Sequence, residues 1–203
     1  MSIRKQLASA RITRNPHSLR VFFPTATVKC DGVKTYRSQT ARDVACLLDI
    51  DPQVVSWHCM PMPLPGLDHV PDFEVVDEDG CVNFIDAPDR PIAPHQTTIV
   101  EAARGLGAVY RVMPRTEIYR GFRLRNAVDL LRYGNVIVPL GDRLRLLAAL
   151  DEHGSLAMGE CLKAFQETRP VAGLASLILQ QYVEVDFDAG PFGPETSVRR
   201  ITR

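Results

Sequence analysis

The chain has 203 residues, 45% of them hydrophobic and 24% charged, with 24 basic side chains balancing 24 acidic ones. That is the composition of a soluble globular protein, long enough for one large domain or two small ones. No apolar run approaches the about 20 residues that cross a bilayer, no secretory h-region opens the chain, and five cysteines without a C-x-x-C pair predict reduced thiols in the cytoplasm.

Although the net charge is zero, its signs are segregated along the chain. Residues 1–20 carry Arg4, Lys5, Arg11, Arg14 and Arg20 and no acid, and are expected to form a basic arm that tracks a phosphate backbone. From Arg20 to Lys29 the chain is β-rich, and Asp31-Gly32 turns it towards Tyr36. A helix is predicted over Gln39 to Leu48, with Val44, Leu47 and Leu48 on its apolar face and Asp51-Pro52 as its stop. Val54 to Trp57 reads as a strand, and the proline-rich run Met60 to Gly66 as an extended connector. Apolar residues between Trp57 and Leu67 are expected to pack against the sheet.

A hairpin is then predicted, with Phe73, Val75 and Val76 before an Asp77-Glu78-Asp79-Gly80 turn and Cys81 to Asp86 after it. Its register places Asp72 and Asp86 near one end of the sheet, where two convergent carboxylates suit a hard divalent ion such as magnesium. His58, Cys59, His69 and Cys81 fit no usual zinc spacing and are read as ordinary core thiols and histidines.

Pro88, Pro91 and Pro94 break the chain before a helix at 98–105, for which Thr97 or Thr98 is the expected cap. Ala108 to Met113 reads as a strand. Phe122 to Tyr133 reads as an amphipathic helix with Leu124, Val128 and Leu131 inward. The order helix, three strands, helix, strand predicts a mixed α/β sheet flanked by helices. Beyond Gly134 the expected elements are a helix at 142–152 with Leu144, Leu147 and Leu150 on one face and a second, capped by Ser155, near 156–166. A third helix is expected over Val171 to Gln181, then a hairpin from Tyr182 to Phe187 and Ser197 to Ile201. Three short helices and a two-stranded wing make a winged-helix module, in which Arg169, Ser176, Gln180 and Gln181 are the base-facing candidates and Arg199 and Arg200 the phosphate contacts.

In this order the parts resemble the TnsA-type endonuclease subunit of heteromeric transposases, a PD-(D/E)xK restriction-endonuclease-like domain followed by a winged helix. Tyr36-Arg37-Ser38-Gln39-Thr40-Ala41-Arg42-Asp43 looks like that family's Ser-x-x-Glu-Arg-Asp helix start. Asp51-Pro52-x-Val54 matches its helix end, Met60-Pro61 sits at its Gln-Pro, Pro71-Asp72-Phe73 at its PD strand and Ile85-Asp86-Ala87-Pro88 at its Glu-Val-Lys. Asn126 with Leu130, Leu131 and Tyr133 resembles the helix that follows. The resemblance implies a basic arm at 1–20, a nuclease-like domain at 21–138 and a winged-helix domain at 139–203.

It also implies a magnesium site built from a helix Glu, the PD Asp and a second acid, with a Lys that orients the attacking water. Here the Glu position is Ala41, the Gln position Met60 and the Lys position Pro88, so Asp72 and Asp86 alone remain as weak metal ligands. Arg42, Arg90 and Arg104 are the nearby substitutes for the Lys, and Asp43 or Glu74 for the acid.

The expectation is therefore a catalytically inactive, TnsA-like protein that binds double-stranded DNA, as a regulator or as a subunit of a mobile-element complex with a transposase-like or regulatory partner. Its phosphate contacts would be Arg11, Arg14, Arg115, Arg120, Arg123, Arg125, Arg169, Gln180, Arg199 and Arg200, with no cofactor, no membrane contact and a homodimer as one assembly it allows. The alternatives are a magnesium-dependent endonuclease with migrated residues and a protein-interaction subunit that does not touch DNA.

Overall fold

The helix expected after Tyr36 is α1 (Gln39–Ile50) in a computed structural model of the chain, which describes residues 21–90 and 96–201. Ser38 caps it, its hydroxyl accepting from the Ala41 N–H at 3.0 Å. Strand β1 (Val54–Cys59) follows, then β2 (Phe73–Asp77), β3 (Val82–Asp86), α2 (Gln96–Gly105) and β4 (Val109–Val112). The four strands form one mixed sheet in the order β1-β2-β3-β4, antiparallel except for the β3–β4 pair. That parallel step needs a crossover, and α2 supplies it.

Alternation along the strands gives the sheet two apolar faces. Trp57, Phe73, Val75 and Ile85 pack with α1 and with α4 (Arg123–Leu131), while Phe84 and Tyr110 pack with Ile99 and Ala103 of α2. The expected α/β architecture, a mixed sheet with flanking helices, is what the chain adopts. The predicted hairpin is also present, with Phe73 opposite Ile85 and Gly80 at φ 76° in its turn.

The β-rich run 21–29 is not a strand. Its peptide groups are taken by side chains of α1. Arg42, fully buried, donates through Nε to Pro24 O at 2.6 Å and through Nη2 to Ala26 O at 2.7 Å. Asp49 Oδ1 accepts from the Val28 and Lys29 N–H groups at 3.2 and 3.1 Å, and from Trp57 Nε1 at 3.1 Å. Side-chain hydrogen bonds have displaced the ladder that propensity alone would favour, and a single bridge, Cys30 with Trp57, joins the segment to β1. Burial pushes the Asp49 carboxyl upward, against the pull of the Lys29 N–H and the Arg42 charge.

After α3 (Arg115–Ile118) and α4 come α5 (Leu140–His153), β5 (Ser155–Ala157), α6 (Met158–Cys161), a 3-10 turn at 162–164, α7 (Pro170–Leu179), β6 (Val183–Val185) and β7 (Ser197–Arg200). A second, antiparallel sheet has the order β5-β7-β6. Ser155 is therefore not a helix cap: it pairs with Arg199 in β5, and the helix expected at 156–166 shrinks to α6 and the turn after it. Met158 N–H and Gly159 N–H donate to Thr196 O and Pro194 O, which ties the first turn of α6 to the β6–β7 connection. Leu144, expected inward, is 56% exposed, and the buried residues of α5 are Asp142, Leu146 and Leu150. Thr97 and Thr98 lie inside α2 rather than capping it.

Two buried polar side chains fix the second half. Asn126 of α4 donates to Phe187 O and Gly190 O at 2.9 and 2.8 Å and accepts from the Phe192 N–H at 3.1 Å, tying α4 to the β6–β7 connection. Asp142 accepts from the Gln166 and Thr168 N–H groups at 2.8 and 2.7 Å and pairs with Arg145, holding the turn before α7. Among the described residues no helix is long and apolar enough to cross a membrane.

Candidate functional site at the acidic end of the sheet

Asp72 stands just before β2 and Asp86 ends β3, so the hairpin register brings both to one end of the sheet, as the sequence implied. They are 3% and 0% exposed. Asp86 Oδ1 accepts the Asp72 backbone N–H at 2.8 Å, which couples the two positions directly. An ionised carboxylate at this depth is costly unless charged or hydrogen-bonding partners surround it.

Both are so surrounded. Arg37, one residue before the α1 cap, donates Nε to Asp72 Oδ1 at 3.0 Å and Nη2 to Asp72 Oδ2 at 2.9 Å, the two-pronged geometry that a guanidinium fork favours. Its Nη2 also reaches Asp89 Oδ1 at 2.9 Å, and the Ala87 N–H adds a bond to Asp72 Oδ2 at 2.9 Å. The Asp72 hydrogen bond, opposed by burial, raises the Arg37 guanidinium further above its ordinary range. Asp89 is pushed up by burial but held down on balance by the Ser38 hydroxyl and Arg37.

Asp86 is held from the other side. The Tyr110 hydroxyl donates to Oδ2 at 2.7 Å, Arg90 Nη1 lies 3.3 Å from Oδ1, and His69 Nε2 sits 2.9 Å from Oδ2, off the line of a hydrogen bond. Tyr110 reaches this point because β4 pairs in parallel with β3, placing it beside Phe84 on the face that also carries Asp86. Burial, then the bond to Asp86, pushes the Tyr110 phenol above its usual range, so it remains a donor.

All four carboxylate oxygens therefore accept protein hydrogen bonds, and two guanidinium charges stand against the acid pair. The arrangement does not suit a magnesium ion, which binds through open carboxylate oxygens and retained waters. Among the described residues, no group of three His, Cys, Asp or Glu side chains is placed to hold a metal.

The substitutes weighed from the sequence are scattered. Arg90 is at Asp86, whereas Arg42 is committed to Pro24 O and Ala26 O, and Arg104 is exposed on α2. Asp43 accepts from Gln39 Nε2 and the Tyr119 hydroxyl at 2.8 and 3.0 Å, and Glu74 sits within β2 opposite His58 and Phe84. Ala41 is buried against the core, Met60 is exposed with a φ of 45°, and Pro88 is half-buried. Sequence reasoning missed Arg37, His69 and Tyr110 as partners of the acids. Arg37 had a signal, since it directly precedes the capping serine of the helix that carries Ala41.

Of the proposed phosphate contacts, Arg115, Arg120, Arg125, Arg169 and Arg199 are exposed and pair with no carboxylate among the described residues. Arg123 is bound to Asp188 at 2.7 Å and Arg200 to Asp151. Arg11 and Arg14 lie outside the described residues. Helix α7 is buried continuously from Ala172 to Leu179, with Ser176 donating to Val136 O at 2.6 Å, so solvent is reached at its start, by Arg169, Pro170 and Val171, and at its end, by Gln180. Between α4, α6, α7 and Phe192 lies an apolar groove of about 410 Å³ lined by Leu130, Tyr133, Met158, Val171 and Leu174.

Scanned against protein-family models the chain matches none, and no curated protein matches it.

Proposed function

We propose that this chain is a double-stranded DNA-binding protein with a restriction-endonuclease-like frame and a C-terminal winged helix, and that it grips DNA without cutting it. The element order α1-β1-β2-β3-α2-β4, with two acids at one sheet end, supports the frame. Helices α5, α6 and α7 with the β5-β7-β6 sheet support the winged helix.

One observation carries the inert half of the reading: Arg37 occupies Asp72 and Arg90 approaches Asp86. A nuclease needs an ion there to lower the pKa of water and to offset charge on the phosphate. Guanidinium groups stay protonated at every working pH, so they supply charge and position but no base. The acid pair then serves as an internal ion-pair cluster that holds β2, β3 and the start of α1 together.

Because α7 is buried along most of its length, base reading in the major groove is not its task. Exposed Arg115, Arg120, Arg125, Arg169 and Arg199 would contact phosphates, with the arm at Arg11 and Arg14 adding to them, which gives salt-sensitive binding of low sequence specificity. Such a protein suits a regulator, or a subunit in a mobile-element complex that takes its chemistry from a transposase-like partner. The test is duplex binding across a salt series, with and without magnesium.

A second reading, a protein-docking subunit, is favoured by the groove over α7 and by exposed Ile137, Leu140 and Leu144, which follow Tyr133 of that groove in sequence. It would show itself as no DNA binding at any salt together with a stable complex with another protein.

A further inference from the structure

Among the described residues, the Phe, Tyr and Trp side chains exposed to solvent are Phe23, Tyr119 and Phe122. The last two stand together in the corner between α3 and α4. Tyr119 is 45% exposed and Phe122 39%, and Arg120 and Gly121 between them are exposed as well. Burial on either side builds this corner: Ile118 seals the end of α3 into the core, and Asn126 and Ala127 turn the inner face of α4 towards it. Gly121 makes the bend at φ 55°, and a Cβ placed there would meet nothing within 4 Å. The space over the corner is open.

Each ring has an arginine beside it. Arg115 Cζ lies 6.0 Å from the centroid of the Tyr119 ring, and Arg125 follows Phe122 at the three-residue spacing that shares a helix side. Arg115, Arg120 and Arg125 pair with no carboxylate among the described residues. The acids Glu117 and Asp188 are engaged by Arg111 and Arg123 instead. The Tyr119 ring is held in place, since its hydroxyl donates to Asp43 Oδ2 of α1 at 3.0 Å. A fixed, exposed ring flanked by unpaired guanidinium groups is suited to bases and phosphates together.

We propose that Tyr119 and Phe122 form a stacking platform for unpaired nucleobases, which directs the chain to duplex DNA that carries a single-stranded overhang. This preference rests on the DNA-binding reading above and adds which DNA is held best. A base inside a duplex is covered on both faces by its neighbours, whereas an unpaired base beside a duplex end offers a free π-face. Aromatic rings take such bases and arginines take the phosphates that link them, the pattern of sites that bind single strands. Stacking is tolerant of sequence because every base has a π-face, which is consistent with an α7 too deeply buried to read base edges.

The experiment titrates full-length protein, at one salt concentration, into a labelled blunt duplex and into the same duplex bearing a short overhang of either polarity. An overhanging form should bind about tenfold tighter than the blunt one. Phe122→Leu keeps apolar bulk without the π-face and should bring that affinity down to the blunt level, while Phe122→Trp keeps the preference. Iodouracil at the first unpaired position should crosslink on irradiation to Tyr119 or Phe122, identified by peptide mass spectrometry. Equal affinity for blunt and overhanging duplexes, or an equal loss on both in Phe122→Leu, overturns the platform and leaves duplex binding standing. Absence of binding to every form at the lowest salt overturns both.

Discussion

Arg37 grips Asp72 through two parallel hydrogen bonds, Nε to Oδ1 at 3.0 Å and Nη2 to Oδ2 at 2.9 Å, across 35 residues of chain. The fork joins the start of α1 to the start of β2. Replacing Arg37 by Ala leaves a buried carboxylate without its cation, and should lower unfolding stability by about 3 kcal/mol. Arg37→Lys rescues only part of this, because an ammonium cannot reproduce the fork. Urea titration of Arg37→Ala, Asp72→Asn and the double variant checks the coupling: the double should lose clearly less than the sum. Additive losses would mean that the two side chains act independently.

Tyr110 anchors the other acid. Tyr110→Phe removes a hydroxyl donor from buried Asp86 while keeping the ring against α2, and should cost about 2 kcal/mol. Thermal melts of the variant at matched concentration measure it. A neutral substitution would show that water or another donor takes its place.

These partners arose from elements that differ in how openly the sequence announces them. The hairpin and the meeting of Asp72 with Asp86 were legible, because Asp79-Gly80 and the flanking alternation determine the register. Helix α1 was legible from its apolar spacing and from Pro52 just beyond it. Segment 21–29 was not, since its backbone is claimed by Arg42 and Asp49, residues whose inward aim depends on tertiary packing. Tyr110 reaches Asp86 only through a parallel pairing made after a helical crossover, a non-local event that no local pattern encodes. Arg90 was weighed as a stand-in for a missing lysine, and it does lie on Asp86, though as an ion-pair partner.

Acid should reveal the Asp142 anchor. Burial raises that carboxyl, but the Gln166 N–H, Arg145 and the Thr168 N–H outweigh it and hold the group well below the ordinary carboxylate range. A depressed folded value means the stabilisation is full above the unfolded pKa of about 4 and fades as pH falls through the folded one. Asp142→Asn should thus be less stable at neutral pH, with the gap to wild type narrowing in strong acid. Parallel stability–pH curves for the two proteins would refute this assignment.

Close packing limits α7. A Cβ added at Gly173 would lie 2.4 Å from Phe165 Cε1 and 2.5 Å from Cδ1, so Gly173→Ala must displace that ring. The expected loss is about 2 kcal/mol, read as a lowered melting temperature. An unchanged melt would mean the ring moves aside freely.

The chain is expected to grip a duplex without cutting it. Fluorescence anisotropy of a labelled DNA duplex, titrated with the full chain over a range of salt with magnesium or with chelator, tests that directly. Binding should weaken steeply with salt, with a log–log slope of about −0.9 for each phosphate contacted, identical in both media, and the duplex should be recovered whole. Strand breaks that appear with magnesium, or no binding even at the lowest salt, would contradict it.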